Sequence, residues 1–378
     1  MHQHLRSLLH IDFPLLAFSH CRDVVAAVSQ AGGFGVLGAA RYTPEELETE
    51  LRWIDDHVGG KPYGVDLLSP ENLSVRTEAG VRTAELTAQI PAEHRTFVND
   101  LLRRHGVDPE RDFDGYHRDA PDAPPPFQRE TGEQLMDVAF RHPIRLIANA
   151  LGVPPPSMLE RARRFNVPCA ALVGAREHAI RQVQAGVDII VAQGTEAGGH
   201  CGEVSTLVLI PEVLRAVKGA VPVLAAGGIV TGRQMAACMA LGAAGVWTGS
   251  VWLATSDAET SPVFRDKMLE ARSRDTVRSR FRTGKPARQL KSAWTDAWEV
   301  PGSPGPLPMP LQGLISEPAM QRVNRSAEAG NSEARALVSY FVGQGVGLID
   351  SVRSSRQVVA DFMGEFAEAL EDMRGFAP

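Results

Sequence analysis

The residues best suited to chemistry follow a short apolar run and lie in a glycine-rich turn. Within residues 187–193, Val187, Ile189, Ile190 and Val191 form a β-branched run with almost no polar interruption, which is typical of a parallel strand buried on both faces. The turn that follows contains one imidazole, His200, which could give or take a proton near neutral pH. Four glycines permit unusual backbone conformations around it and let a flat ligand approach the main chain: Gly194, Gly198, Gly199 and Gly202.

Gln193 would lie at the carboxyl end of that strand, where barrels and open α/β sheets bind their ligands. Its amide can both donate to and accept from a ring that carries imide groups. Cys201 is adjacent to His200, but neighbours on an irregular loop usually point apart, so a cysteine nucleophile paired with the histidine is the weaker interpretation. A surface histidine without a catalytic role is the plain alternative.

Two further glycine turns predict a phosphate site. Gly227 and Gly228 follow an apolar run and precede a helix beginning near Thr231, so their amides and the helix dipole would attract an anion. Gly249 and Ser250 end the next run, and the loops after strands seven and eight form the usual phosphate site of an eight-stranded barrel. Close packing of helix on strand is the structural alternative.

A phosphate site beside the glycine-rich turn at 194–202 predicts a cofactor made of a phosphate, a flexible linker and a flat polar ring. FMN matches this description. Pyridoxal phosphate would need a lysine at a strand end for its Schiff base, and none of the predicted strands ends in one.

Eight apolar runs alternate with helix-length amphipathic segments, the pattern of βα units around a parallel sheet. The predicted strands are residues 14–18, 34–37, 63–67, 145–150, 169–173, 187–193, 221–226 and 245–248. Eight repeats favour an α/β fold of the closed (β/α)8 TIM barrel type. No G-x-G-x-x-G follows a predicted strand, which argues against a Rossmann dinucleotide site.

Two segments exceed the barrel, which we place at residues 1–260. Residues 69–132 form an insertion after the third strand, with a proline-rich connector at 119–126, and could be a lid or a solvent-exposed loop. Residues 261–378 contain a proline- and glycine-rich stretch followed by apolar residues at helical spacing, Tyr340 among them. We expect this part to be a mostly helical subdomain packed on the barrel.

Composition excludes several classes of protein. The chain has 378 residues, 44% of them hydrophobic, which is enough for a large core. A net charge of -6 argues against nucleic-acid binding, and we interpret the basic run at 272–288 as a solvated helix face. The 4 cysteines lack metal-ligand spacing, and there is neither a signal peptide nor a membrane-spanning run. We expect a cytoplasmic protein without a metal, whose oligomeric state the sequence leaves open.

Several motifs resemble the FMN-dependent nitronate monooxygenases, long called 2-nitropropane dioxygenases. AQGTEAGGHCG at 192–202 resembles the hallmark of that family, and residues 222–250 resemble its FMN phosphate region. VVAAVSQAGGFGVLGA at 24–39 is similar to the opening βα unit, while GKPARQL and YFVGQGVGL resemble later segments. The resemblance covers most of the chain outside the insertion.

The resemblance implies a reaction and a set of residues. In the family, an alkyl nitronate gives an electron to FMN, and reduced flavin and O2 then yield a carbonyl compound and nitrite. It implies that His200 is the catalytic residue, either abstracting the proton α to a nitro group or donating to the nitronate oxygens. It also implies FMN contacts at Ala17, Phe18, Gln193, Gly198, Gly199, Gly227, Gly228, Gly249 and Ser250.

Some positions depart from the family pattern. His20 follows Phe18 and Ser19 where relatives carry Pro-Met, and we take it, with Tyr340, as a candidate substrate contact. Asp66 stands where relatives commonly carry an asparagine near the flavin ring, so its hydrogen bond to FMN would differ. The fifth strand ends without the lysine that some quinone-reducing relatives have.

Two other functions stay open. One is an NAD(P)H-dependent quinone or enoyl-thioester reductase of the same flavin-barrel superfamily. The other is an FMN-binding partner protein without catalytic activity.

Overall fold

A computed structural model of the chain describes residues 2–40, 42–68, 82–110 and 129–375. The first elements are α1 (His2–Leu9), β1 (Leu15–Ser19), α2 (Arg22–Gln30), β2 (Phe34–Gly38), α3 (Pro44–His57), β3 (Tyr63–Leu68), α4 (Thr83–Ala88), α5 (Ala92–Arg104), α6 (Arg129–Ala139), β4 (Ile147–Ala150), α7 (Pro156–Phe165), β5 (Cys169–Val173), α8 (Arg176–Ala185) and β6 (Ile189–Gln193). Then come β7 (Gly199–His200), α9 (Thr206–Val217), β8 (Val223–Ala226), α10 (Gly232–Ala240) and β9 (Gly245–Thr248).

The remaining elements follow the last strand of the barrel. They are α11 (Pro262–Glu270), β10 (Thr276–Ser279), β11 (Ala287–Leu290), α12 (Ala293–Glu299), α13 (Leu311–Glu328), α14 (Ser332–Leu337) and α15 (Ser355–Arg374), with short 3-10 helices at Ser250–Ala254, Ser273–Asp275 and Gln344–Leu348.

Eight parallel strands close into a barrel in the order β1-β2-β3-β4-β5-β6-β8-β9. The ring closes where Ala17 of β1 pairs with Thr248 of β9. This arrangement confirms the predicted (β/α)8 barrel, and all eight predicted strands are present. Three begin two residues later than predicted, at Ile147, Ile189 and Val223. Apolar residues before these strands, such as Leu146 and Val187, are buried like strand residues but lie outside the strand bounds.

The barrel interior is a packed apolar core. Inward-facing side chains from successive strands, among them Leu16, Phe34 and Val191, are fully buried in one cluster. Leu5 and Leu9 of α1 belong to the same cluster, so the first helix closes one end of the barrel. The opposite end, where the strands finish, is left for a ligand, as parallel barrels require.

A small antiparallel sheet, β10-β11-β7, forms beside the barrel. Its presence corrects the interpretation of residues 272–288 as a solvated helix face. Arg282 and Arg288 of this stretch are only 3% and 7% exposed. Arg282 is buried because Glu317 accepts two hydrogen bonds from its guanidinium, at 2.6 and 2.9 Å, and the carbonyl of Ser339 accepts a third.

The prediction of helices from the apolar spacing after residue 317 is confirmed only in part. Helices α13, α14 and α15 are present, but Tyr340 lies outside them, in the irregular segment between α14 and the 3-10 helix Gln344–Leu348. Helix α15 packs on α10 and α2, where it completes the ring of helices around the barrel. The division of the chain at residue 260 therefore stays a proposal.

Helices of the predicted insertion pack in two places. The helices α4 and α5 contact α13, while α6, most of which follows the predicted end of the insertion at residue 132, contacts α3 on the outside of the barrel. The proline-rich connector at 119–126 lies outside the described residues. None of the described helices combines the length and apolar character needed to cross a membrane.

Replacing Gly364 with alanine is expected to stabilise the fold. Gly364 is exposed within α15, and a Cβ added there meets nothing within 4 Å. Alanine stabilises a helix interior by roughly 1 kcal/mol relative to glycine. Urea unfolding at matched flavin content should show this gain. In the matched variant Gly232→Ala, the new Cβ overlaps the carbonyl oxygen of Phe362 in α15, so stability should fall; equal stabilities for the two variants would contradict the packing of α15 on α10.

Candidate active site

A cavity of about 820 Å³ opens at the carboxyl ends of the barrel strands. This volume lies within the range of cofactor sites. Twelve of the thirteen candidate site residues line it: Phe18, His20, Asp66, Gln193, Gly198, Gly199, His200, Gly227, Gly228, Gly249, Ser250 and Tyr340. Ala17 does not line the cavity, because its side chain is fully buried in an apolar cluster with Val24 and Val28 of α2. The turns after β6, β8 and β9 therefore meet at one site, as the sequence predicts.

His200 is held by a strand pair that the sequence did not reveal. The two-residue strand β7 pairs with β11, so that His200 lies opposite Ala287. The imidazole Nε2 lies 2.8 Å from Oγ1 of Thr283, and the ring centroid lies 6.4 Å from that of Phe341. The family resemblance at 284–290 pointed to this segment, but no signal in the sequence placed it beside the histidine.

Thr283 determines which nitrogen of His200 carries the proton. Its hydroxyl lies 3.2 Å from the carbonyl oxygen of Lys285, to which it donates, and the amide of Lys285 donates back to it at 3.3 Å. With its proton used in this way, the hydroxyl accepts from Nε2–H of His200. On this basis we assign the proton to Nε2, which leaves Nδ1 with a free lone pair.

The environment of His200 keeps its ring neutral. Loss of water around the imidazole, and secondarily the charge of Lys285, lowers its pKa to about 4. This corrects the expectation that His200 titrates near neutral pH. The reason is that the imidazolium loses hydration and gains no carboxylate partner among the described residues, so His200 is a base and not an acid at pH 7.

The glycine turns serve both packing and ligand access. At Gly198 a Cβ would lie 2.8 Å from the amide nitrogen of Gly343, so this glycine is needed for backbone packing. Gly227 and Gly228 have φ values of +112° and +69°, which favour glycine. Gly249 is different: its φ is -133°, and an added Cβ would meet no atom within 4 Å. Glycine at this position leaves room in the cavity and relieves no strain.

The irregular segment 340–343 and the start of the 3-10 helix Gln344–Leu348 together connect these turns, and sequence reasoning missed this role. The amide of Gly343 donates to Oγ of Ser250 at 2.8 Å, and the amide of Gln344 donates to the carbonyl of Glu196 at 2.8 Å. The backbone of Gly345 packs directly on Gly228. Tyr340 enters the cavity from the start of this segment, because the segment is extended and not helical.

The strands β1 to β3 supply another part of the cavity wall. The ring of His20 packs edge-on against Phe18, with centroids 5.1 Å apart, and its Nδ1 lies 2.8 Å from the carbonyl oxygen of Gly38. Because a carbonyl only accepts, Nδ1 carries a proton. A Cβ at Gly38 would lie 2.7 Å from this ring, so glycine is required there for His20 to reach the cavity.

Asp66 is the buried carboxyl of the site. It is 7% exposed, and its Oδ1 has no hydrogen-bond partner among the described residues. Burial raises its pKa to about 7.

Comparison with known sequences gives the family. A family model described as nitronate monooxygenase matches residues 9–365. A protein of Mycobacterium tuberculosis that bears the provisional name monooxygenase is 54% identical over 376 residues, 99% of each chain. A protein of Staphylococcus saprophyticus with the provisional name nitronate monooxygenase is 26% identical over 300 residues, 75% of this chain and 77% of its own.

Solved structures share the fold. A nitroalkane oxidase from Streptomyces ansochromogenes superposes with a TM-score of 0.77 at 24% identity and covers 98% of this chain and 99% of its own. FabK from Thermotoga maritima superposes with a TM-score of 0.71 at 25% identity and covers 99% of both chains. The family match spans the whole barrel and the segments that complete its site, so the chain belongs to the nitronate monooxygenase family and is a flavin-dependent oxidoreductase.

Proposed function

We propose that this enzyme binds FMN and uses O2 to oxidise alkyl nitronates, and the nitroalkanes from which they form, to carbonyl compounds and nitrite. One observation carries the proposal: a neutral imidazole with a free nitrogen shares a single cavity with the glycine turns at Gly227 and Gly249. A base and an anion-binding turn in one site suit proton removal next to a phosphate-anchored flavin.

The residues present fit FMN. The turns at Gly227, Gly228 and Gly249, together with Ser250, would hold the phosphate, because a Cβ at Gly249 would fill open space that the glycine leaves. The ring would contact Gln193, Gly198, Gly199, Phe18 and Asp66. The Oδ1 of Asp66 has no hydrogen-bond partner among the described residues, which favours a polar edge of the flavin ring close to it. Bound FMN would supply the one-electron redox chemistry between the nitronate and O2.

His200 acts as the base in this proposal. Its Nε2–H donates to Thr283, so Nδ1 is the nitrogen that can take the proton α to a nitro group. The same assignment disfavours the alternative in which His200 donates to the nitronate oxygens, because a neutral ring has no second N–H to give. His20 and Tyr340 line the cavity as the proposed substrate contacts.

Three measurements on the purified protein test the proposal. It should be yellow, and flavin released by heat should run as FMN and not as FAD in chromatography. Propionate 3-nitronate in air should yield nitrite. Under anaerobic mixing, propionate 3-nitronate should bleach the flavin and NADH should not; fast bleaching by NADH alone would identify a reductase. A colourless protein that takes up no added FMN would refute a flavin function of any kind.

The pH profile tests the state of His200. Because the pKa of the imidazole is lowered to about 4, the base form persists from pH 7 down to about pH 5. Nitrite release from nitroethane under kcat/KM conditions should therefore stay level over that range and fall to half near pH 4. Preincubation at each pH and assay at pH 7 controls for unfolding. A fall to half near pH 6.5 would mean that the imidazole titrates as it does in water.

A further inference from the structure

Asp66 lies in an apolar setting at the floor of the cavity. In the barrel register it pairs with Gly38 of β2 on one side and with Ala148 of β4 on the other. Neither neighbour has a polar side-chain atom, and Oδ1 of Asp66 has no hydrogen-bond partner in the described part of the chain. A buried carboxyl oxygen without a partner is unfavourable by itself, so the site is built for a ligand that supplies the missing hydrogen bond.

The charges around Asp66 do not stabilise its anion. The neighbouring strands β2 and β4 carry no titratable side chain. Charged groups on the helices that pack behind β3 have partners elsewhere: Arg22 pairs with Glu50, while Glu133 and Asp137 pair with Arg161.

Titratable groups also reach the cavity from other elements. His20 approaches over Gly38 after β1, with its Nδ1–H bonded to the Gly38 carbonyl. The other basic and acidic side chains that line the cavity lie on other parts of its wall; they are His178, Arg181, His200, Lys285 and Glu317. Burial is the one cause of the raised pKa of Asp66, about 7, so none of these groups pulls it down.

We propose that Asp66 enters the flavin complex as the neutral acid and donates a hydrogen bond to an acceptor atom of the flavin ring, so that FMN binding takes up a proton. The inference rests on the proposed function. A neutral acid has a proton to donate, whereas a carboxylate would place a buried negative charge against the ring, and no described cation lies close enough to Asp66 to lower its pKa. An asparagine at this position would also donate, but independently of pH.

The proposal fixes the pH dependence of FMN affinity. With a pKa of about 7 in the free protein, Asp66 is mostly protonated at pH 6 and mostly ionised at pH 8. If only the acid form binds tightly, the Kd rises roughly tenfold from pH 6 to pH 8 and roughly a further tenfold to pH 9. The phosphate of FMN also titrates, so a control must share that titration and lack only the carboxyl.

The matched control is Asp66→Asn, which keeps the shape and a donor. Flavin is removed from both proteins, and FMN is titrated back between pH 6 and pH 9 with fluorescence quenching as the readout. The ratio of the wild-type Kd to the Asp66→Asn Kd should rise about tenfold from pH 6 to pH 8. A constant ratio would overturn the proposal, and a ratio that falls with pH would show that Asp66 binds as the anion and accepts from a ring N–H.

A second measurement uses the wild-type protein alone and remains valid if the variant does not fold. Riboflavin, which lacks the titrating phosphate of FMN, is mixed with the flavin-free protein in weak buffer containing a pH indicator. Uptake of about 0.9 proton per bound riboflavin is expected at pH 8, against about 0.1 at pH 6. Equal uptake at the two pH values would refute the inference while leaving the proposed function intact. A wild-type protein that binds no FMN at any pH would instead refute the proposed function itself.

Discussion

His200→Asn is expected to keep its flavin and to lose about 10²–10⁴-fold in turnover of a neutral nitroalkane, the contribution usual for a positioned general base. The asparagine amide can still contact Thr283 but has no basic nitrogen at neutral pH. The lone pair of Nδ1, which the wild-type network leaves available, is the feature that the substitution removes. Nitrite release from nitroethane at pH 6.5, with flavin content read from the visible spectrum, measures both effects.

Preformed nitronate provides the control, because its α-proton is already gone. The variant should oxidise ethyl nitronate within about tenfold of the wild-type rate, since no proton transfer to residue 200 is then required. Equal losses with nitroethane and ethyl nitronate would show instead that His200 anchors the nitronate oxygens. An unchanged rate with nitroethane would remove His200 from the mechanism.

The barrel could be predicted because its physical causes are local. Residues 169–173 form a short apolar run between helix-length segments, and the strand Cys169–Val173 occupies those positions. Where a predicted strand was too long, the extra residues are buried but do not belong to the strand. Leu146 is fully buried in the barrel interior, yet the strand begins at Ile147. An apolar pattern reports burial and cannot show where hydrogen bonding between strands begins.

The meeting of the three glycine turns at one cavity was predictable for a similar reason. Parallel strands in a barrel finish at the same edge, so glycine turns after the sixth, seventh and eighth strands must lie together. The location of His200 in the same cavity as Gly227 and Gly249 thus follows from counting repeats.

The chemistry of the site was not predictable, because it depends on contacts that are distant in sequence. Thr283, which assigns the tautomer of His200, lies 83 residues further along the chain. The lowered pKa of the imidazole arises from removal of water by all the surrounding segments. The irregular segment that carries Tyr340 was mistaken for helix, because its apolar residues, such as Val338 and Val342, are fully buried without belonging to a helix.

Gly249→Val is expected to weaken FMN binding by at least about 100-fold without harm to the fold. The φ of -133° lies outside the left-handed region that favours glycine, and a Cβ at this position meets nothing within 4 Å, so there is room for the new side chain. The valine would fill the space assigned to the phosphate. Loss of two hydrogen bonds to a charged group, at about 1.5–3 kcal/mol each, accounts for that factor. Fluorescence titration with FMN measures it, and urea unfolding of the flavin-free protein checks the fold.

Riboflavin distinguishes a phosphate site from general damage to the cavity. It lacks the phosphate, so wild type and Gly249→Val should bind it with the same affinity if the turn at Gly249 holds only that group. The variant Gly364→Ala, at a glycine in α15 away from the cavity, should bind FMN as the wild type does. A parallel loss of FMN and riboflavin affinity would place the flavin ring at this turn. Full FMN affinity in Gly249→Val would mean that the phosphate lies elsewhere, and the arrangement of the cofactor along the cavity would have to be reversed.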